Sequence, residues 1–295
     1  MNESDPFVLW RDALEFDKAS RLKSSKEKFE KAASGFFEQS KLNPSVSRAM
    51  FEYSTLMDAF SVIQQARMLR DLSQYEESLS QFGKAADILR ATLHFGFLAS
   101  YVAACATLET TSLMHDNDDS LEALKSANAL LEQGKLALSF RDERHPLMPI
   151  INAMIKFSIS KSLLVESRIL LRSNDTASSE QRFKQSLAVL REYQLLAADS
   201  RIAEDVIDYF IPDDWERAKS GAFICCYPDP EKLWLMNLGT HVALVQKFGS
   251  ESLQNEILPN DSLAISLQGM KGKIRVVYRD RVSGAEFDEG CVMLI

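Results

Sequence analysis

Four histidines and four cysteines could ligate a metal or serve as nucleophiles, and their spacing argues against both. His94, His115, His145 and His241 stand far apart, and none has a partner one helical turn away. A zinc site needs three or four converging ligands. Cys105 lies in an apolar helical run, and no C-x-x-C spacing joins it to Cys225, Cys226 or Cys291. In a strand, Cys225 and Cys226 would point to opposite faces, and a disulfide between neighbours would be strained. Buried free thiols in a reducing compartment are the expectation.

The acidic run at 115–120 fails as a calcium loop. A loop starting at Asp116 would require Gly at 121 and Glu at 127, where the chain has Leu121 and Ala127. Capping of a following helix explains the acids, since anions are favoured at a helix N-terminus. The segment at 269–273 has glycines and lysines without phosphate-loop spacing, and G-x-G-x-x-G and G-x-S-x-G do not occur. No catalytic residue, metal or cofactor is assigned on these grounds.

Two groups are candidates for binding a partner. Lys271, Lys273, Arg275, Arg279 and Arg281 alternate with Ile274, Val276 and Tyr278, with Val277 breaking the basic row. Period two would put the cations on one strand face, solvated or docked against an acidic surface. Trp215, in Pro212-Asp213-Asp214-Trp215, is placed where two parts of the chain should join, and interface tryptophans are frequent binding hot spots.

The elements that must position these groups fall into two regions. The 295 residues are 46% hydrophobic and 26% charged, enough apolar content for a sizeable core. The net charge of −8 disfavours binding to a phosphate backbone, so nucleic acid is not the expected partner. Residues 1–7 lack a basic segment followed by an apolar one, which argues against a signal peptide. The stretch 95–108, taken as the most apolar, is shorter than the roughly 20 residues a bilayer requires. A cytoplasmic protein without membrane attachment is expected.

Up to about residue 220 the pattern is helical, with helices expected at 6–19, 22–40, 44–72, 75–93, 97–115, 119–140, 147–173, 176–199 and 201–219. Asp5-Pro6 and Asn43-Pro44 are cap-then-proline pairs, Asn117 offers a further cap, and Gly96 marks a break. Short connections predict antiparallel hairpins. A small residue, Phe four positions on and a small residue three further recur at Ser25-Phe29-Ala32, Ser78-Phe82-Ala85 and Ser179-Phe183-Ser186. A weaker copy is Ala123-Ala127-Leu130. At helical spacing these share one face, where small side chains let backbones approach and Phe fills the gap.

From Gly221 onward glycine becomes frequent and the apolar period shortens to two. Strands are expected at 222–227, 232–237, 240–247, 262–267, 273–278 and 285–295, separated by turn residues. The predicted fold class is therefore α+β: a helical array over 1–220, then a small antiparallel sheet or sandwich over 221–295. The β part is expected to cap the last helix pair.

The segment Ser73-Gln74-Tyr75-Glu76-Glu77-Ser78-Leu79-Ser80-Gln81-Phe82-Gly83-Lys84-Ala85 resembles the second helix of a tetratricopeptide repeat (TPR). Residues 28–33 and 181–186 look similar, and the same pattern also fits the three-helix microtubule-interacting-and-trafficking domain. The chain departs from the family period of about 34 residues. Phe29 and Phe82 are not a multiple of it apart, Ala66 stands where the first helix usually has Gly, and no Pro closes the units. The resemblance implies irregular helical hairpins that bind peptides or proteins on an inner surface. Near the C-terminus, residues 272–280 with Phe287 resemble one hairpin of an immunoglobulin-like sandwich.

The expected function is that of a non-catalytic adaptor or regulatory subunit with a protein or peptide partner; the oligomeric state is left open. One competing reading is a small-molecule sensor or enzyme with a pocket at the helix–sheet junction, lined by Cys225, Cys226, His241 and Trp215. Another is an accessory subunit that holds nucleic acid through the basic strand.

Overall fold

The computed structural model describes residues 5–114, 116–140, 145, 147–199, 224–228, 232–237, 241–248, 254–266, 273–279, 286–287 and 293–294. Among them are eight helices: α1 (Pro6–Lys18), α2 (Leu22–Leu42), α3 (Ser47–Asp71), α4 (Tyr75–Arg90), α5 (Phe97–Leu113), α6 (Asp118–Ser139), α7 (Leu147–Arg172) and α8 (Thr176–Asp199). Small antiparallel sheets follow, so the class is α+β as expected. The described residues before Leu190 form one compact unit, and those from Leu190 on form a second. The helix expected at 201–219 and the boundary expected at 220/221 lie outside the described residues.

Local chemistry sets most helix limits. Asp5 Oδ1 accepts from the Phe7 N–H at 2.9 Å, ahead of Pro6 in the first turn. Asn117 and Ser120 form a reciprocal capping box at the start of α6. Gly96 is the N-cap of α5. The start of α3 is a correction. Asn43 Oδ1 accepts from Ser45 N and Ser45 Oγ, so the side chain closes a local turn and the helix begins at Ser47 rather than at 44.

Successive helices pack on one another through α7, and α8 is bonded to α7 by paired serines. Three of the hairpins, α1–α2, α3–α4 and α7–α8, share one junction. Each turns through a residue at positive φ: Ser20 (55°), Ser73 (61°) and Asn174 (62°). Around each the backbone makes the paired bonds of a Schellman turn: Ser20 N to Asp17 O with Arg21 N to Phe16 O, Ser73 N to Arg70 O with Gln74 N to Leu69 O, and Asn174 N to Leu171 O with Asp175 N to Leu170 O.

Five residues beyond each turn stands the small residue of the recurring pattern. Its hydroxyl donates to a carbonyl twelve residues back: Ser25 to Ala13 O at 2.9 Å, Ser78 to Ala66 O at 2.8 Å, Ser179 to Ser167 O at 2.8 Å. The serine is thus small enough for close approach, and its hydroxyl still finds a carbonyl on the facing helix. Each such bond contributes about 1 kcal/mol. Beside it, Phe29 and Phe82 are fully buried and Phe183 is half-buried, while Ala32, Ala85 and Ser186 complete the buried face.

The α5–α6 hairpin is built differently. Of Ala123-Ala127-Leu130 only Ala127 is buried; the packed face runs through Ser120, Leu124, Ala127, Leu131, Gly134 and Leu138. A Cβ on Gly134 would lie 3.4 Å from the Phe97 carbonyl oxygen, so the bare backbone there lets α6 lie close on α5.

α7 is long and apolar enough to cross a bilayer on length and composition alone. Its three buried serines bond to neighbouring helices. Ser158 donates to Leu124 O of α6, and Ser160 and Ser167 exchange reciprocal bonds with Ser186 and Ser179 of α8.

The β region comprises β1 (Ile224–Pro228), β2 (Lys232–Asn237), β3 (Val242–Phe248), β4 (Gln254–Ile257), β5 (Ser262–Ser266), β6 (Lys273–Arg279), β7 (Glu286–Phe287) and β8 (Met293–Leu294). One sheet has the order β1-β2-β5 and the other β4-β3-β6-β7, with β8 also pairing to β6. β4 was not expected, and the strand expected at 285–295 is instead the two short pieces β7 and β8. Buried Asn237 ties the sheets together: its Nδ2 donates to His241 O at 2.7 Å and to Ile257 O at 2.9 Å.

Candidate functional site

Among the described residues of the helical unit, His94 and His145 have separate partners and form no common site. His115 lies outside the described residues. His94 bonds to Glu52 of α3, the His145 ring packs edge-on to Phe97 at 5.3 Å, and His241 belongs to the β region. Among the described residues no group of three His, Cys, Asp or Glu side chains could hold a metal ion. Burial pushes the Cys105 thiol up to about 12, past the help of a hydrogen bond from Tyr101. It stays protonated at neutral pH and is a core residue rather than a nucleophile. Cys225 and Cys226 lie on β1.

Of the partner-binding candidates, Trp215, Lys271 and Arg281 lie outside the described residues. Lys273, Arg275 and Arg279 are on β6, paired with Phe248, Gln246 and Val242 of β3. Val277 belongs to the same row opposite Leu244, and Val242, Leu244 and Val277 are buried as one cluster. The other row is buried as well, at Ala243, Val245, Val276 and Tyr278. The centre of this sheet is therefore covered on both faces. Arg279 reaches Glu256 of β4 at 2.9 Å.

The helical array carries features that the sequence did not reveal. At the edge where odd helices end, carboxylates and arginines link one hairpin to the next. Fully buried Asp17 of α1 accepts from Arg67 at 2.5 Å and from Gln64 Nε2 at 2.9 Å, both on α3. Arg70 of α3 meets Glu109 of α5 at 2.8 Å, and Arg168 of α7 meets Asp116 at 2.8 Å. Arginine near a helix C-terminus is also favoured by the helix dipole.

At the other edge the connections between hairpins and the helix ends beside them expose apolar side chains: Leu42, Phe51, Leu93, Leu136 and Phe140. An aromatic cluster of Phe7, Trp10, Phe36, Tyr53 and Phe95 joins α1, α2, α3 and the start of α5, with centroids 4.8–6.4 Å apart. On α2 an open groove of about 350 Å³ is lined by Glu27, Glu30, Lys31 and Ser34. Partial burial, then the charge of Glu30, pushes the carboxyl of Asp58 up.

No family model, curated protein or solved structure matches this chain. Its functional reading therefore rests on its own geometry: repeated hairpins, an ion-paired edge and an apolar edge.

Proposed function

We propose that this chain is a non-catalytic adaptor or regulatory subunit whose helical array, of an irregular TPR type, recognises a protein or peptide partner. The observation that carries the reading is the junction repeated at α1–α2, α3–α4 and α7–α8, with a serine hydroxyl bonded to a carbonyl twelve residues back. Ala66, standing where the family usually has Gly, is the residue whose carbonyl accepts from Ser78. Repeated hairpins build extended surface rather than a closed cavity. Exposed phenylalanines and leucines at the inter-hairpin connections offer the anchors a partner would cover. The pairing of Arg279 with Glu256 and the burial of Val277 weigh against the basic strand as a nucleic-acid surface.

Affinity capture of the full chain from its native cells, followed by mass spectrometry, tests the reading. A protein retained by wild type and lost on Phe51→Glu or Phe140→Glu is the expected result. Capture of nucleic acid that is released steeply by salt would replace it with the basic-strand reading. No protein enriched, together with a metabolite that raises the melting temperature, would replace it with the pocket reading.

A further inference from the structure

The joint between α4 and α5, residues 91–96, is fastened to α3 by a single buried carboxylate. Glu52 Oε2 accepts from the His94 backbone N–H at 2.9 Å and lies 2.6 Å from His94 Nδ1. The Glu52 side chain is 8% exposed and that of His94 63% exposed. One turn back on α3, Arg48 Nε stands 3.7 Å from Glu52 Oε1.

Burial alone would push Glu52 up. The two bonds from His94, with the charges of His94 and Arg48, outweigh burial and hold the carboxyl below its usual range. The charged groups facing Glu52 are thus Arg48 on its own helix and His94 on the joint. The Phe95 ring also packs against Tyr53 of α3, at 5.9 Å.

We propose that the His94–Glu52 pair is a protonation-sensitive clamp that sets how firmly the α3–α4 hairpin is joined to the α5–α6 hairpin. The imidazole lies mostly in solvent while its partner is buried. A charged imidazole gives a charge-assisted bond. A neutral one gives a weaker bond, in only one of its two tautomers. The backbone N–H bond survives either way, so the joint loosens without opening. Because the angle between hairpins sets the shape of a repeat surface, the clamp couples that shape to pH.

Amide exchange on the full chain at His94, Phe95 and Leu98, corrected for intrinsic rates, tests this from about pH 5 to 8, the range in which histidine changes charge. Protection at these amides is expected to fall about fivefold across that range in wild type, the scale of losing one partly exposed charge pair. His94→Gln should abolish the trend and leave α6 amides unchanged. This variant keeps the test valid even if Glu52→Gln fails to fold, because the replaced ring lies mostly in solvent. A flat wild-type profile overturns the proposal. So does a slope that persists in His94→Gln, which would assign the titration to His145 beside Phe97.

Discussion

The turns within hairpins and the connections between them follow different rules. Within α1–α2, α3–α4 and α7–α8 the chain repeats one solution: a Schellman turn at positive φ, then a serine five residues on that bonds across the crossing. Between hairpins each connection is individual. α2–α3 uses an Asn43 side-chain turn, and α4–α5 uses the Thr92, His94 and Glu52 bonds. A hairpin crossing is a local problem, solved within twelve residues. Joining hairpins requires partners such as Asp17 and Arg67, 50 residues apart.

Substitutions at both kinds of junction would break or sharpen this contrast. Phe82→Ala at a fully buried crossing should cost about 3–5 kcal/mol in chemical denaturation, and Phe183→Ala distinctly less, because Phe183 is only half-buried. Equal losses would mean that the crossings are not graded by burial. Asp17→Ala, which strands the buried Arg67 guanidinium, should cost about 3–5 kcal/mol. The double variant Asp17→Leu with Arg67→Met should recover much of that loss, as apolar replacements of buried ion pairs often do.

Ser73→Val should lose about 1–2 kcal/mol by forcing a β-branched residue to positive φ. Ser73→Gly should change stability by less than about 1 kcal/mol, since relief of strain offsets the added freedom of the unfolded chain. The smallest change is expected for Lys184→Ala, whose partner Glu180 is exposed, with no resolvable shift in the denaturant midpoint.

Acid denaturation adds a directional check. The Glu52 carboxyl is held below its usual range. Its contribution is therefore fully present above the ordinary glutamate range and is lost as pH falls through the lowered value. Glu52→Gln should flatten that part of the stability curve, measured by denaturant midpoints at a series of acidic pH values.

Legibility in the sequence followed the same divide. The spacing of Ser25, Phe29 and Ala32 marked the crossing face because it is written within two helical turns. The turn residues Ser20, Ser73 and Asn174 were equally visible five positions upstream, but a non-glycine residue at positive φ carries little signal by type. α3 was started too early because Asn43-Pro44 reads as a cap, whereas the asparagine side chain turns back on Ser45. β4 was missed because Gln254-Asn255-Glu256-Ile257 has almost no apolar alternation and is set by its neighbour β3. On β6 the position read as an interruption of the basic row, Val277, is where that face is covered. Glu52 and His94 are 42 positions apart, so nothing local announces their bond.

The reciprocal serine bonds between α7 and α8 bear on how the array responds to force. Leucine and alanine surfaces can slip past each other by one turn, about 5.4 Å, and find comparable packing. Ser160 with Ser186 and Ser167 with Ser179 cannot, because such a slip breaks all four bonds at once. Those hydroxyls act as a detent on axial sliding, so a pull along these two helices should meet one sharp threshold before they part.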